Sequence, residues 1–106
     1  MNLRIEENGF RFRITDNDLQ SLLQGCDINQ HVRVGRQGFS YRIAPVSDKK
    51  EMVLEMADSG FCLYVPHKSL ECLRDLGRSK EGISVRQDET EISLQVDIKK
   101  QLRKAA

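Results

Sequence analysis

The first half of the chain reads again in the second. Displaced by 51 positions and without a gap, Leu3 falls on Leu54, Gly9 on Gly60, Phe10 on Phe61, Leu19 on Leu70, Leu22 on Leu73 and Val34 on Val85. Apolar character stays in phase between these identities: Ile5 with Met56, Phe12 with Leu63, Ile14 with Val65, Val32 with Ile83, Tyr41 with Ile92, Ile43 with Leu94. The identities alone are few. Agreement of phase across five successive elements favours duplication over convergence of two similar units.

Each unit has the same grammar. Leu3 and Ile5 alternate with Arg4 and Glu6, Glu7-Asn8-Gly9 turns the chain, and Phe10, Phe12 and Ile14 alternate with Arg11 and Arg13. Period-two alternation around Asn-Gly predicts a β-hairpin. Thr15 is placed to cap a helix, with Asp16 and Asp18 in the first turn; Leu19 and Leu22 line one helical face, joined by Leu23 and Cys26, and Gly25 stops it. A strand over His31 to Gly35, a turn at Arg36-Gln37-Gly38 and a strand carrying Phe39, Tyr41 and Ile43 complete the unit, and Pro45 is expected to end it. The second unit repeats this. Leu54 and Met56 precede the turn Asp58-Ser59-Gly60, and Phe61, Leu63 and Val65 follow it. Pro66 opens a helix with Leu70, Leu73 and Leu76 on its buried face and Gly77 at its end. Ile83 and Val85, then Ile92, Leu94, Val96 and Ile98, mark the last two strands.

A unit of about 50 residues is marginal alone. The units 1–46 and 51–98 are therefore expected to share one core about a pseudo-two-fold axis, as a single domain over 1–106 with a basic tail at 99–106. The fold class is α+β: duplicated ββαββ units giving eight short antiparallel strands, with two helices on the apolar face. Alternation leaves the other face polar. Whether the sheet stays open or curls into a barrel is not written in the pattern.

Seventeen basic and sixteen acidic residues give a net charge of +1, so an electrostatic role must come from local patterning rather than bulk charge. No apolar run reaches the roughly 18 residues of a membrane span, and no apolar leader opens the chain. Cys26, Cys62 and Cys72 are odd in number and irregular in spacing, which suits a reducing compartment. A soluble cytoplasmic protein that makes no membrane contact is expected.

The patterning is in the arginines. Opposite the core phase the first unit shows Arg4, Glu6, Arg11, Arg13, Arg33 and Arg42, with Arg36 in a turn, whereas the second shows Glu55, Ala57, Cys62, Tyr64, Ser84, Arg86, Glu91, Ser93, Gln95 and Asp97. Every Lys or Arg in the first 45 positions is Arg, whose planar fork matches phosphate and carboxylate. Three readings follow. The five arginines form an anion-binding face; or they pair with glutamates across the ladder and cover surface with their stems; or the basic half of one molecule meets the acidic half of another.

Other chemistry is poorly supplied. His31 and His67 have no Cys or carboxylate at zinc-like spacing, so no metal and no cofactor are expected. Cys26 and Cys72 read as small buried side chains. Cys62, on the polar face, has no base at hand in the sequence. Glycines sit in turns and form no phosphate-cradling loop. No catalytic residue is assigned, and catalysis is the poorer expectation.

The opening, Leu3-Arg4-Ile5 and then Asn8-Gly9-Phe10-Arg11-Phe12-Arg13-Ile14-Thr15, resembles a group of short, uncharacterised bacterial proteins with the N-terminal pattern K-I-R-I-x-G-N-S-x-R-x-R-L-T. The likeness continues more loosely through Val32-Arg33-Val34-Gly35, Tyr41-Arg42-Ile43 and Leu63-Tyr64-Val65-Pro66. It departs at Asp97-Ile98-Lys99-Lys100, where those proteins close on Glu-Lys-Asp-Phe. The resemblance implies a small soluble protein and no particular chemistry. An arginine-lined barrel would be similar to tunnel-type phosphohydrolases, but Asn2, Arg4 and Glu6 stand where their first strand carries E-x-E-x-K.

The function expected is thus a non-catalytic binding or assembly module, acting through its polar sheet face or its strand edges on a protein partner or a second copy. The alternative is an anion binder, taking nucleic acid or a phosphorylated small molecule on Arg4, Arg11, Arg13, Arg33 and Arg42.

Overall fold

The computed structural model describes residues 1–76 and 82–96. Gly77 and the segment from Asp97 onward, with Ile98 and the basic tail, lie outside the described residues. The elements run β1 (Asn2–Glu6), β2 (Gly9–Ile14), α1 (Asp16–Leu23), β3 (Ile28–Val34), β4 (Gln37–Val46), β5 (Val53–Ala57), β6 (Gly60–Pro66), α2 (His67–Leu76), β7 (Ile83–Gln87) and β8 (Thr90–Val96). Two ββαββ halves are present, as the repeat demands.

The halves exchange hairpins. The strands divide into two sheets of four, ordered β1-β2-β8-β7 and β3-β4-β6-β5, and neither closes into a barrel. Each sheet takes one hairpin from each half. Within every hairpin the pairing is antiparallel, but the two seams, β2 with β8 and β4 with β6, are parallel. The reason is geometric. The second strand of each hairpin runs from the turn toward the helix end, so two such strands laid side by side point the same way.

The repeat survives in the register. Gly9 faces Glu91 at one seam and Gly60 faces Ser40 at the other, each 51 positions from its counterpart. The Glu91 N–H donates to the Asn8 carbonyl and the Ser40 N–H to the Ser59 carbonyl, both at 2.9 Å. Close approach explains the two glycines: a Cβ on Gly9 would stand 2.9 Å from the Glu91 carbonyl oxygen, and one on Gly60 would collide with that of Ser40.

One pair of strands leaves this register. Ile43 and Leu94 are 51 apart, yet their partners Ile28 and Ile83 are 55 apart. From the helix leucine to the paired strand residue the second half is four positions longer, Leu73 to Ile83 against Leu22 to Ile28, and its β7–β8 hairpin is correspondingly shorter. An even slip keeps the same side chains on the same face, so the alternation of Val32 and Val34 with Ile83 and Val85 looked gapless while the strands were offset. The longer β3–β4 hairpin projects as an arm.

Thr15 caps α1 as expected: its hydroxyl accepts from the Asp18 N–H at 3.1 Å, and its own N–H donates to the Asp18 carboxylate at 3.2 Å. Pro45 does not end its strand, since β4 continues to Val46. Ser40 directs its N–H toward the β6 side, so Pro45 faces the β3 side, where the ladder has already stopped at Ile28. No donor is missed there.

The core is shared. Phe12, Ile14, Leu94 and Val96 from one sheet meet Ile43, Leu63 and Val65 from the other, with Leu19, Leu22, Leu70 and Leu73 from the helices. No described polar or charged residue is buried. The helices pack on each other, α1 against β3 and β4 and α2 against β4, β6 and β7, and follow the strand ends farthest from the hairpin turns. Gln87 joins the sheets at one side. Its amide donates to the Leu54 carbonyl at 2.8 Å and accepts from the Leu54 N–H at 2.9 Å, taking the place of a strand partner for edge strand β5. At the hairpin tips, Ile5, Val32, Val34 and Met56 are exposed although they share the core phase.

Candidate anion-binding site

Hairpin exchange splits the five arginines. Arg4, Arg11 and Arg13 lie on the outer face of the β1-β2-β8-β7 sheet; Arg33 and Arg42 lie on the outer face of the other. They do not form one surface. Two units supply each sheet, so the contrast between a basic and an acidic half is redistributed across both.

On the first face, Arg4 stands directly opposite Arg11, and Arg11 opposite Ser93. Arg13 is one row nearer the helices, between Asn2 and Gln95. A recess of about 230 Å³ is lined by Arg4, Arg11, Arg13, Asn2 and Gln95, with Leu3. Arg11 Nε meets Glu6 at 3.1 Å, both side chains about half exposed. Arg4 and Arg13 meet no acid among the described residues. The cross-ladder pairing that would neutralise such a face is therefore present at one arginine of three.

A larger recess of about 400 Å³ lies at the tip of the same sheet, and its lining is mainly acidic: Glu6, Glu7, Glu89 and Glu91 around Arg11 and Arg86. It is the wrong sign for an anion. Arg11 borders both recesses.

On the second face Arg42 is engaged, and Arg33 meets no acid among the described residues. Arg42 Nε donates to the Cys62 sulfur at 3.3 Å, and Nη1 lies 3.5 Å from Asp27. Hydrogen bonding to Cys62 and charge interaction with that side chain hold the Arg42 guanidinium above its ordinary range. The same two effects push the Tyr64 phenol up, and Lys49 lies 5.7 Å from its ring centre. Cys62 thus has a cation and a phenol beside it, a grouping that spacing in sequence could not show, but no histidine base. Arg33 lies opposite Gly38, over which the His31 ring packs.

The remaining candidates disperse. His67 is 3.8 Å from Glu71, one helical turn on. Cys26 and Cys72 are exposed, not buried: Cys26 follows the end of α1, and Cys72 points off the Leu70–Leu73 stripe. No group of three potential metal ligands occurs among the described residues, and no described helix is long and apolar enough to cross a membrane.

The model of a family described as a family of unknown function (DUF7009) matches residues 1–103. No curated protein matches the chain.

Proposed function

The chain belongs to the DUF7009 family, whose function is unknown, and we propose from its own geometry that it is a non-catalytic binding module for a phosphate-bearing ligand. The ligand sits on the outer face of the β1-β2-β8-β7 sheet and is held by Arg4, Arg11 and Arg13, with Asn2 and Gln95 as neutral donors at the rim.

One observation carries this reading. Arg4 and Arg11 are direct cross-strand neighbours, an arrangement that destabilises an antiparallel ladder, and Arg13 adds a third charge beside them with no acid among the described residues to offset it. A ligand with two or more anionic oxygens would relieve the repulsion and meet several guanidinium forks at once. The polar lining and open shape suit a charged group rather than an apolar molecule.

The test is thermal unfolding of the whole chain with phosphate, pyrophosphate, triphosphate, nucleotides and short oligonucleotides. At about 100-fold excess over the dissociation constant, binding contributes about 2.7 kcal/mol, a rise on the order of 10 °C for a domain near 100 residues. The rise should vanish in Arg4→Gln/Arg13→Gln, which leaves the Arg11–Glu6 pair in place. For a single-stranded oligonucleotide touching about three phosphates, log affinity should fall with log salt at a slope near −2. No rise with any anion at millimolar concentration would end the proposal.

A further inference from the structure

All four hairpin turns lie at one end of the molecule, because each seam begins at a turn: Gly9 beside Glu91, and Gly60 beside Ser40. The helices close the core at the other end. At the turn end no described residue closes it. Ile5 is 56% exposed, Met56 70%, Val32 41% and Val34 68%, and all four continue the inward apolar phase of their strands. Behind them Phe10, Phe61 and Phe39 stack edge to face, with ring centres 5.3 and 5.2 Å apart.

The charge around this opening is divided by sheet. The tips of the β1-β2-β8-β7 sheet carry Glu6, Glu7, Asp88, Glu89 and Glu91, all exposed. The β3–β4 arm carries His31, Arg33 and Arg36 and no acidic residue from Ile28 to Val46. Gln87 ties β7 to β5, so β1 and β3 share the opposite side of the stack.

We propose that a second copy of this chain covers the opening, docked end to end about a two-fold axis that runs between the sheets and across the strands. That rotation lays the arm of each copy over the acidic tips of the other. Ile5 of one copy meets Val32 and Val34 of the next, and Arg33 and Arg36 meet Glu6 and Glu7. The β5–β6 turn, with Asp58, comes to the partner's β7–β8 turn, where Asp88 and Glu89 lie beside Arg86, so the attraction rests on the arm. The interface is isologous, so each contact occurs twice, and charge selects it over the rotation that would put acidic tips against acidic tips. Among the described residues no ion pair joins the arm to the tips within one molecule.

The test is sedimentation equilibrium of the full chain. Wild type should show a dimer mass at tens of micromolar. Arm reversal, Arg33→Glu/Arg36→Glu, and tip reversal, Glu7→Arg/Glu91→Arg, should each be monomeric with unchanged circular dichroism. Mixed in equal amounts the two variants should give the dimer mass again, since both arm–tip contacts of a mixed pair are then opposite in sign. A wild-type chain that stays monomeric to about 0.5 mM overturns the proposal and leaves the face to some other occupant. So does a dimer that survives both reversals, or a mixture that stays monomeric.

Discussion

Replacing Gln87 by Ala removes the side-chain hydrogen bonds that, among the described residues, join the edge of β5 to the opposite sheet. Two hydrogen bonds are lost, at 2.8 and 2.9 Å. Each is worth about 0.5–1.5 kcal/mol net, and a half-buried backbone group left without a partner costs in the same range. Because β5 is an edge strand, water can reach part of the vacated site, so the middle of the interval applies: a loss of about 2 kcal/mol. For a chain of 106 residues, with an unfolding entropy of about 2.1 cal/mol/K per residue, that lowers Tm by about 9 °C. Urea unfolding followed by circular dichroism measures the difference directly, through a lower midpoint at constant slope. Gln87→Glu sharpens the test. An ionised carboxylate accepts from the Leu54 N–H but has nothing to donate to the Leu54 carbonyl, whereas the protonated acid has. Its deficit relative to wild type should shrink below the ordinary glutamate range near pH 4.3. A loss under about 0.5 kcal/mol in Gln87→Ala, or a pH-independent deficit in Gln87→Glu, would show that the bridge does not hold the sheets together.

Three further outcomes are expected. Gly60→Ala should cost at least about 2 kcal/mol and more than Gly9→Ala, because its Cβ would overlap the Ser40 carbonyl much more deeply than that of Gly9 overlaps the Glu91 carbonyl; equal costs in urea unfolding would contradict the seam geometry. Leu63→Ala, at a fully buried site in the shared core, should cost about 2–5 kcal/mol in one cooperative transition. In Tyr41→Phe, where Tyr64 is the remaining phenol, absorbance at 295 nm should show Tyr64 titrating above the ordinary value of about 10, and Cys62→Ala should lower it. A phenol whose folded pKa is raised keeps its contribution to stability below pH 10 and loses it as pH rises through the folded value, so the unfolding midpoint should begin to fall near pH 10.

Much of this fold was legible in the chain, and what was hidden has identifiable causes. The hairpins at Asn8-Gly9 and Ser59-Gly60, the cap at Thr15 and the helix leucines Leu19, Leu22, Leu70 and Leu73 are local signals, and all appear where the pattern puts them; Leu76, expected on the buried face of α2, is exposed at the helix end. The four-residue slip of β3 against β7 could not be seen, because an even displacement preserves alternation. Ile5, Val34 and Met56 have core phase, but phase says nothing about whether the facing sheet extends far enough to cover them. The grouping of the site depended on hairpin exchange. With strands paired within their own unit, the five arginines would share a surface; exchanged, Arg33 and Arg42 go to the opposite sheet. The Arg42–Cys62 contact and the Gln87 bridge join residues 20 and 33 positions apart, and no local pattern announces either.

Heteronuclear NMR of the arginine Nε–Hε groups during a pyrophosphate titration tests the binding face most directly, at low ionic strength and with each signal assigned by substitution. The resonances of Arg4, Arg11 and Arg13 should shift together with a single dissociation constant, those of Arg33 and Arg42 should stay in place, and added salt should reverse the change. Equal drift of all the arginines, or no movement at Arg4 and Arg13, would mean that this face is only a solvated surface and that the proposed function is wrong.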